Sequence, residues 1–163
     1  SSLLHHLAKS ISDPGELLSR VNDEICESIS HGMFVTLVSG FLDTTKNTIS
    51  FSNAGHQPPL FHNCMGEFEE IKASAPPIGI VPATEFPVET IHLNGGAVYL
   101  FTDGITESYD KNKKFLEVGG LIKLIEINSK LSLSERLERI VSKIRNSSTD
   151  QHDDITLMII ECK

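Results

Sequence analysis

Apolar residues at helical spacing open the chain, with Leu3, Leu4, Leu7 and Ile11 on one face. Asp13-Pro14-Gly15-Glu16 then combines a cap, a first-turn proline and a capping-box acid, so a second helix is predicted to start there. Its stripe is Leu17, Leu18, Val21, Ile25 and Ile29, and His31-Gly32 closes it. From Met33 the period changes. Met33 to Leu42 and Thr48 to Ser52 read as two strands joined by the polar turn Asp43 to Asn47. A second hairpin is expected over Pro58 to His62 and Phe68 to Ile71, and a third over Phe86 to Leu93 and Ala97 to Thr102, across Asn94-Gly95-Gly96. Phe115 to Ile127 reads as a helix weakened by Gly119-Gly120. Ser132 and Glu135 form a capping box before Leu137, Ile140, Val141 and Ile144, and Ile155 to Glu161 is the last strand. Helices, a run of hairpins, then helices and a strand predict an α+β fold: an antiparallel sheet core with helices packed on it.

Candidate chemistry lies at two strand ends. In Tyr99-Leu100-Phe101-Thr102-Asp103-Gly104-Ile105-Thr106-Glu107 an apolar strand delivers a carboxylate into a turn where Gly104 permits unusual backbone angles. Near the end, His152-Asp153-Asp154-Ile155-Thr156 places an acid pair at the start of the last strand. The two sets of acids meet if the strands lie side by side. Magnesium and manganese favour such oxygen ligands, which suggests hydrolysis.

Composition narrows the partners. With 163 residues and 39% hydrophobic content, residues 1–163 are expected to form a single domain with a real core. Lys and Arg total 14 against 22 Asp and Glu, a formal charge of -8, which argues against nucleic acid as a partner. Cys26, Cys64 and Cys162 are odd in number and widely spaced, fitting neither a disulfide framework nor a zinc ribbon, so a reducing cytoplasm is the expected location. No apolar run approaches the roughly 18 to 20 residues of a membrane span, and the first residues do not resemble a signal peptide.

Five segments occur in an order that carries a resemblance: Met33-Phe34-Val35-Thr36, Asn53-Ala54-Gly55-His56-Gln57-Pro58-Pro59, Pro77-Ile78-Gly79, Thr102-Asp103-Gly104-Ile105-Thr106-Glu107 and Asp153-Asp154-Ile155-Thr156. Over nearly its whole length the chain resembles the PPM-type metal-dependent serine/threonine phosphatases, SpoIIE-like (RsbU-like) branch. The resemblance implies an α-β-β-α sandwich of two antiparallel sheets flanked by helices. It also implies hydrolysis of phosphoserine or phosphothreonine on proteins with two Mn2+ or Mg2+ ions. Asp103 and Asp153 resemble metal ligands, Asp154 a supporting position and Gly104 the motif's turn glycine. No covalent phosphoenzyme is required, because the metal-activated water attacks directly. The implied setting is an upstream sensor or receiver domain and an anti-anti-sigma factor as the phosphorylated partner.

One departure shapes the expectation. The D-x-x-G-H/K-G segment that carries the family's bridging aspartate is not in this sequence, so the domain reads as N-terminally truncated. At most one weak divalent site and little turnover are therefore expected of the chain as given, together with self-association as a two-fold homodimer through an exposed edge or apolar face. The alternative is a degenerate, non-catalytic phosphatase-like domain that binds a regulatory partner. A haloacid-dehalogenase-type reading fails because position 105 is Ile where a second Asp is needed. Glu107 reads as a helix-start acid and His56 as a hydrogen-bonded loop histidine. His5, His6, His31, His62 and His92 have no metal spacing, and His152 is left open beside the acids.

Overall fold

A computed structural model describes residues 2–28, 34–73, 75–110, 113–147 and 154–162. In chain order the elements are α1 (Ser2–Leu7), α2 (Pro14–Ser28), β1 (Leu37–Asp43), β2 (Thr48–Ala54), β3 (Leu60–His62), β4 (Phe68–Glu70), β5 (Glu89–His92), β6 (Ala97–Phe101), α3 (Asp103–Thr106), α4 (Glu117–Asn128), α5 (Leu133–Ser147) and β7 (Leu157–Glu161). They form two antiparallel sheets with helices, the α+β class that the sequence predicts. No helix among the described residues is long and apolar enough to cross a membrane. Two compact units divide the chain, one mainly Ser1–Pro58 and Ile71–Asn94, the other mainly Pro59–Glu70 and Gly95–Glu161.

In the first unit α2 starts where the capping signal places it: Asp13 Oδ1 accepts the Glu16 amide at 2.7 Å. Leu17, Leu18 and Val21 from its stripe are buried with Ala54, Ile78 and Phe86. Each of these side chains larger than alanine contributes about 1.5–3 kcal/mol through burial. Ile29 and the predicted His31-Gly32 stop lie outside the described residues. The sheet order is β1-β2-β5, with Leu37 opposite Ala54 and Asp43 opposite Thr48. In the β1–β2 turn, the Thr45 hydroxyl and the Lys46 and Thr45 amides donate to the Asp43 carboxylate, which holds it down at about 2.

The second unit contains the sheet β4-β3-β6-β7. Its core gathers Leu60, Tyr99, Phe101 and Ile105 with Leu121 and Ile125 of α4 and Ile140 and Ile144 of α5. The capping box at α5 forms as read, with the Ser132 hydroxyl donating to Glu135 Oε2 at 2.6 Å and the Glu135 amide returning to Ser132 Oγ at 3.4 Å. A buried charge ties the unit together. Arg136, only 5% exposed, donates from Nη1 to the Tyr99 hydroxyl at 2.8 Å and pairs through Nη2 with Glu161 at 2.7 Å. One residue of α5 thereby links β6 and β7.

The first two hairpins occur as expected, but the third does not. β5 pairs with β2, whereas β6 pairs with β3 and β7. The reason is visible in β6: Ala97-Val98-Tyr99-Leu100-Phe101 is apolar on both faces and almost wholly buried, as a central strand must be. β5 is largely exposed and takes an edge. Asn94 and Gly95, at φ 42° and 82°, carry the chain from one sheet to the other.

His62 stacks on Phe68 with ring centroids 4.2 Å apart and planes 5° from parallel. Burial, then the Arg136 charge, lowers its pKa from the ordinary value. A histidine with a depressed folded pKa contributes stability that is present above about 6.5 and lost as pH falls toward the folded pKa. His62→Phe is therefore expected to flatten the stability profile on the acid side of pH 6.5, as read by urea unfolding at several pH values. An unchanged acid slope would show that His62 does not titrate against the fold.

Candidate active site

The carboxylate of Asp103 stands where the buried strand β6 gives way to α3. Thr102 still has strand angles, φ -92° and ψ 160°, and Asp103 is the first helical residue. Phe101 and Ile105 are buried on either side, which anchors the junction, while Asp103 itself is exposed. Its Oδ1 accepts the Gly104 amide at 3.0 Å, and its carbonyl accepts the Glu107 amide at 2.8 Å. Gly104 differs from the sequence reading. It sits buried in the helical turn and is not among the glycines of positive φ, so left-handed angles are not its role. Its amide fixes Asp103, and its carbonyl accepts the Ser108 hydroxyl.

Sequence reasoning overlooked Thr102. Its hydroxyl donates to the Asp154 carbonyl at 2.9 Å and accepts the Thr156 amide at 3.0 Å, while its own amide donates to the Thr156 carbonyl at 3.2 Å. With the hydroxyl so engaged, Thr102 makes no side-chain cap to α3, the usual duty of a threonine in that position. The side chain instead pins the start of the last strand to the end of β6, continuing the pairing that sets Phe101 opposite Leu157. No local signal marks this role, because the partners lie more than fifty residues along the chain.

Asp154 is thus held beside the Asp103 segment, and its side chain is exposed. Asp153, the other expected ligand, lies outside the described residues, as does His152. Carboxylate oxygens suit a hard divalent cation in kind. Among the described residues no group of three or more His, Cys, Asp or Glu side chains surrounds a common point. Thr102→Val should remove both side-chain bonds with little change of volume. We expect a loss of about 1–2 kcal/mol in unfolding free energy, read by denaturant unfolding. Unaltered stability would deny Thr102 a part in fastening the two segments.

The remaining motifs take defined conformations in the first unit. Asn53, buried, accepts the His56 amide at 2.8 Å and donates to the His56 carbonyl at 3.1 Å, closing a tight loop. Gly55 at φ 67° lies in that loop, and a Cβ there would come within 2.7 Å of the Pro77 ring. His56 Nδ1 is 3.2 Å from the Thr36 hydroxyl, as expected of a hydrogen-bonded loop histidine. Ile78 bridges Val35, and the Gly79 amide donates to the fully buried Asn22 of α2 at 3.0 Å.

The family model described as Stage II sporulation protein E (SpoIIE) matches residues 1–163. The chain belongs to the SpoIIE family. Protein IcfG of Synechocystis sp. is 28% identical over 146 residues, 85% of this chain and 22% of that protein. Phosphoserine phosphatase RsbP of Bacillus subtilis is 23% identical over 125 residues, 75% of this chain and 29% of that protein. The chain spans less than a third of the curated relatives it matches. Among solved structures, the SiaA-PP2C domain of Pseudomonas aeruginosa superposes with a TM-score of 0.83 at 16% identity, over 99% of this chain and 67% of that one. RsbX, solved in complex with magnesium, gives 0.68 at 16% identity over 97% and 68%. These likenesses show that the chain shares the fold of the SiaA PP2C domain and of RsbX.

Proposed function

We propose that this SpoIIE-family chain is a metal-dependent protein phosphatase domain that hydrolyses phosphoserine or phosphothreonine on a bacterial signalling partner. One observation carries the reading: Thr102 fastens the acidic segment at Asp154 to the strand end that presents Asp103. The name of RsbP, a phosphoserine phosphatase, and the magnesium bound by RsbX support the same chemistry.

In this reading Asp103 and Asp153 hold the metal, and Asp154 and Gly104 support them. A bound Mn2+ or Mg2+ supplies a water of lowered pKa and neutralises charge on the phosphoryl group. The chain's own contribution is rigidity. β6 is buried, the Gly104 amide fixes the rotation of the Asp103 carboxylate, and Thr102 fixes the approach of the second acidic segment. Such preorganisation keeps the carboxylates together when no cation offsets their repulsion. An anti-anti-sigma factor as substrate, an upstream sensor or receiver domain and a cytoplasmic setting complete the proposal.

The test is phosphate release by the full protein from phosphoserine, phosphothreonine and phosphotyrosine peptides with Mn2+ present. Release from the first two with little from the third is expected. Tight binding of phosphoserine peptides without turnover at any metal concentration would instead identify a degenerate binding domain.

A further inference from the structure

Residues 108–110 and 113–116, which follow α3, present an exposed aromatic pair and two exposed lysines. Tyr109 and Phe115 stack with ring centroids 5.2 Å apart, yet they are 36% and 53% exposed, a position in which large aromatics gain little from burial. Beside them Lys113 and Lys114 are exposed, in a chain whose formal charge is -8. Hydrogen bonds join the described residues on the two sides. Tyr109 and Phe115 form an antiparallel bridge, the Asp110 amide donates to the Lys114 carbonyl at 2.7 Å, and the Leu116 amide donates to the Ser108 carbonyl at 2.8 Å. The Asp110 carboxylate accepts the Lys114 amide at 2.9 Å. Lys113 has φ 59°, a left-handed conformation that a lysine adopts only at some cost, and strain of this kind gathers at ligand-holding loops. At the loop's base the Ser108 hydroxyl bonds to the Gly104 carbonyl, one residue from Asp103.

We infer that Tyr109, Lys113, Lys114 and Phe115 form a docking surface for the acidic segment that flanks the phosphorylated residue of the protein substrate. The inference rests on the phosphatase reading and deepens it. Two ammonium groups attract carboxylates, and the aromatic pair offers an apolar platform for the peptide's main chain and aliphatic stems. Because backbone bonds already hold Tyr109 and Phe115 against each other, placing a peptide on this pair costs little further ordering of the two rings. The chain's formal charge of -8 disfavours non-specific approach of an acidic peptide, and the attraction of these lysines reaches about 8 Å at physiological salt.

The test compares synthetic phosphoserine peptides flanked by Asp and Glu with the same peptides flanked by Gly and Ser, using the full protein and the K113E/K114E variant. The unsubstituted protein should show a KM about tenfold lower for the acidic peptide. The variant should lose that preference while hydrolysing p-nitrophenyl phosphate at the original rate. Equal KM values for the two peptides, with p-nitrophenyl phosphate still hydrolysed, would overturn the inference and leave the phosphatase reading intact. If nothing is hydrolysed the phosphatase reading fails, and fluorescence anisotropy of the labelled peptides then decides the docking claim. Tighter binding of the acidic peptide that disappears in K113E/K114E sustains it, and equal binding overturns it. Binding to phosphatidylserine vesicles without any preference for the acidic peptide would also overturn it, assigning the surface to a membrane.

Discussion

Asp103→Asn in the full protein is expected to lower manganese-dependent hydrolysis of a phosphoserine peptide by about a hundredfold or more, the loss of a direct ligand exceeding the roughly 10–100-fold typical of outer-sphere changes. The substitution is nearly isosteric, and the new amide oxygen can still accept the Gly104 amide that Asp103 Oδ1 receives at 3.0 Å. The fold should therefore persist, with an unchanged circular dichroism spectrum. Without metal the melting temperature should hold or rise, because a negative charge beside the acidic segment at Asp154 has gone. Asp153→Asn should behave alike. Full activity in either variant would remove that residue from the metal site.

The second large effect concerns the buried charge of the second unit. Glu161→Ala leaves the Arg136 guanidinium 5% exposed without the carboxylate that lies 2.7 Å from it. Removing one partner of a buried pair costs about 3–5 kcal/mol, so we expect a loss near the lower end of that range, given the partial exposure of Glu161. The paired change Arg136→Met with Glu161→Leu should cost far less, since it removes the burial penalty together with the attraction. Denaturant unfolding of Arg136→Met, Glu161→Leu and the double variant that combines them gives the coupling energy directly. A loss below about 0.5 kcal/mol for Glu161→Ala, the scale of an exposed pair, would show that solvent screens this one. The guanidinium also donates to Tyr99, whose pKa is raised by burial although that bond opposes the rise. Tyr99→Phe should accordingly be the mildest change in the network.

Much of this architecture was legible in the residues because local signals agreed with the final packing. Asp13 and the Ser132–Glu135 box mark helix starts through bonds made within one turn of chain, and such bonds do not depend on distant partners. Asp43 and Asn63 shape their hairpin turns for the same reason. The mispaired third hairpin shows the limit. Asn94-Gly95-Gly96 specifies a reversal of the chain but not which sheet receives the next strand, and that choice was made by the two-sided burial of β6. α3 is only four residues long, too short for periodicity to reveal. At the site, Asp103 was readable as an acid at the end of an apolar strand. Thr102 was not, because its role depends on partners at Asp154 and Thr156, more than fifty residues away. Arg136 escaped notice for a similar reason: a charged residue on an amphipathic helix reads as solvated until Tyr99 and Glu161 are seen around it.

The central claim is that this domain hydrolyses phosphoserine or phosphothreonine through a divalent cation held at Asp103 and the Asp153-Asp154 segment. Phosphate release from a phosphoserine peptide by the full protein, measured first after chelation and then across a Mn2+ and a Mg2+ titration, tests it most directly. The account predicts no release after chelation, recovery as either cation is restored, and no recovery in Asp103→Asn. Release that continues unchanged in the chelated protein would contradict it.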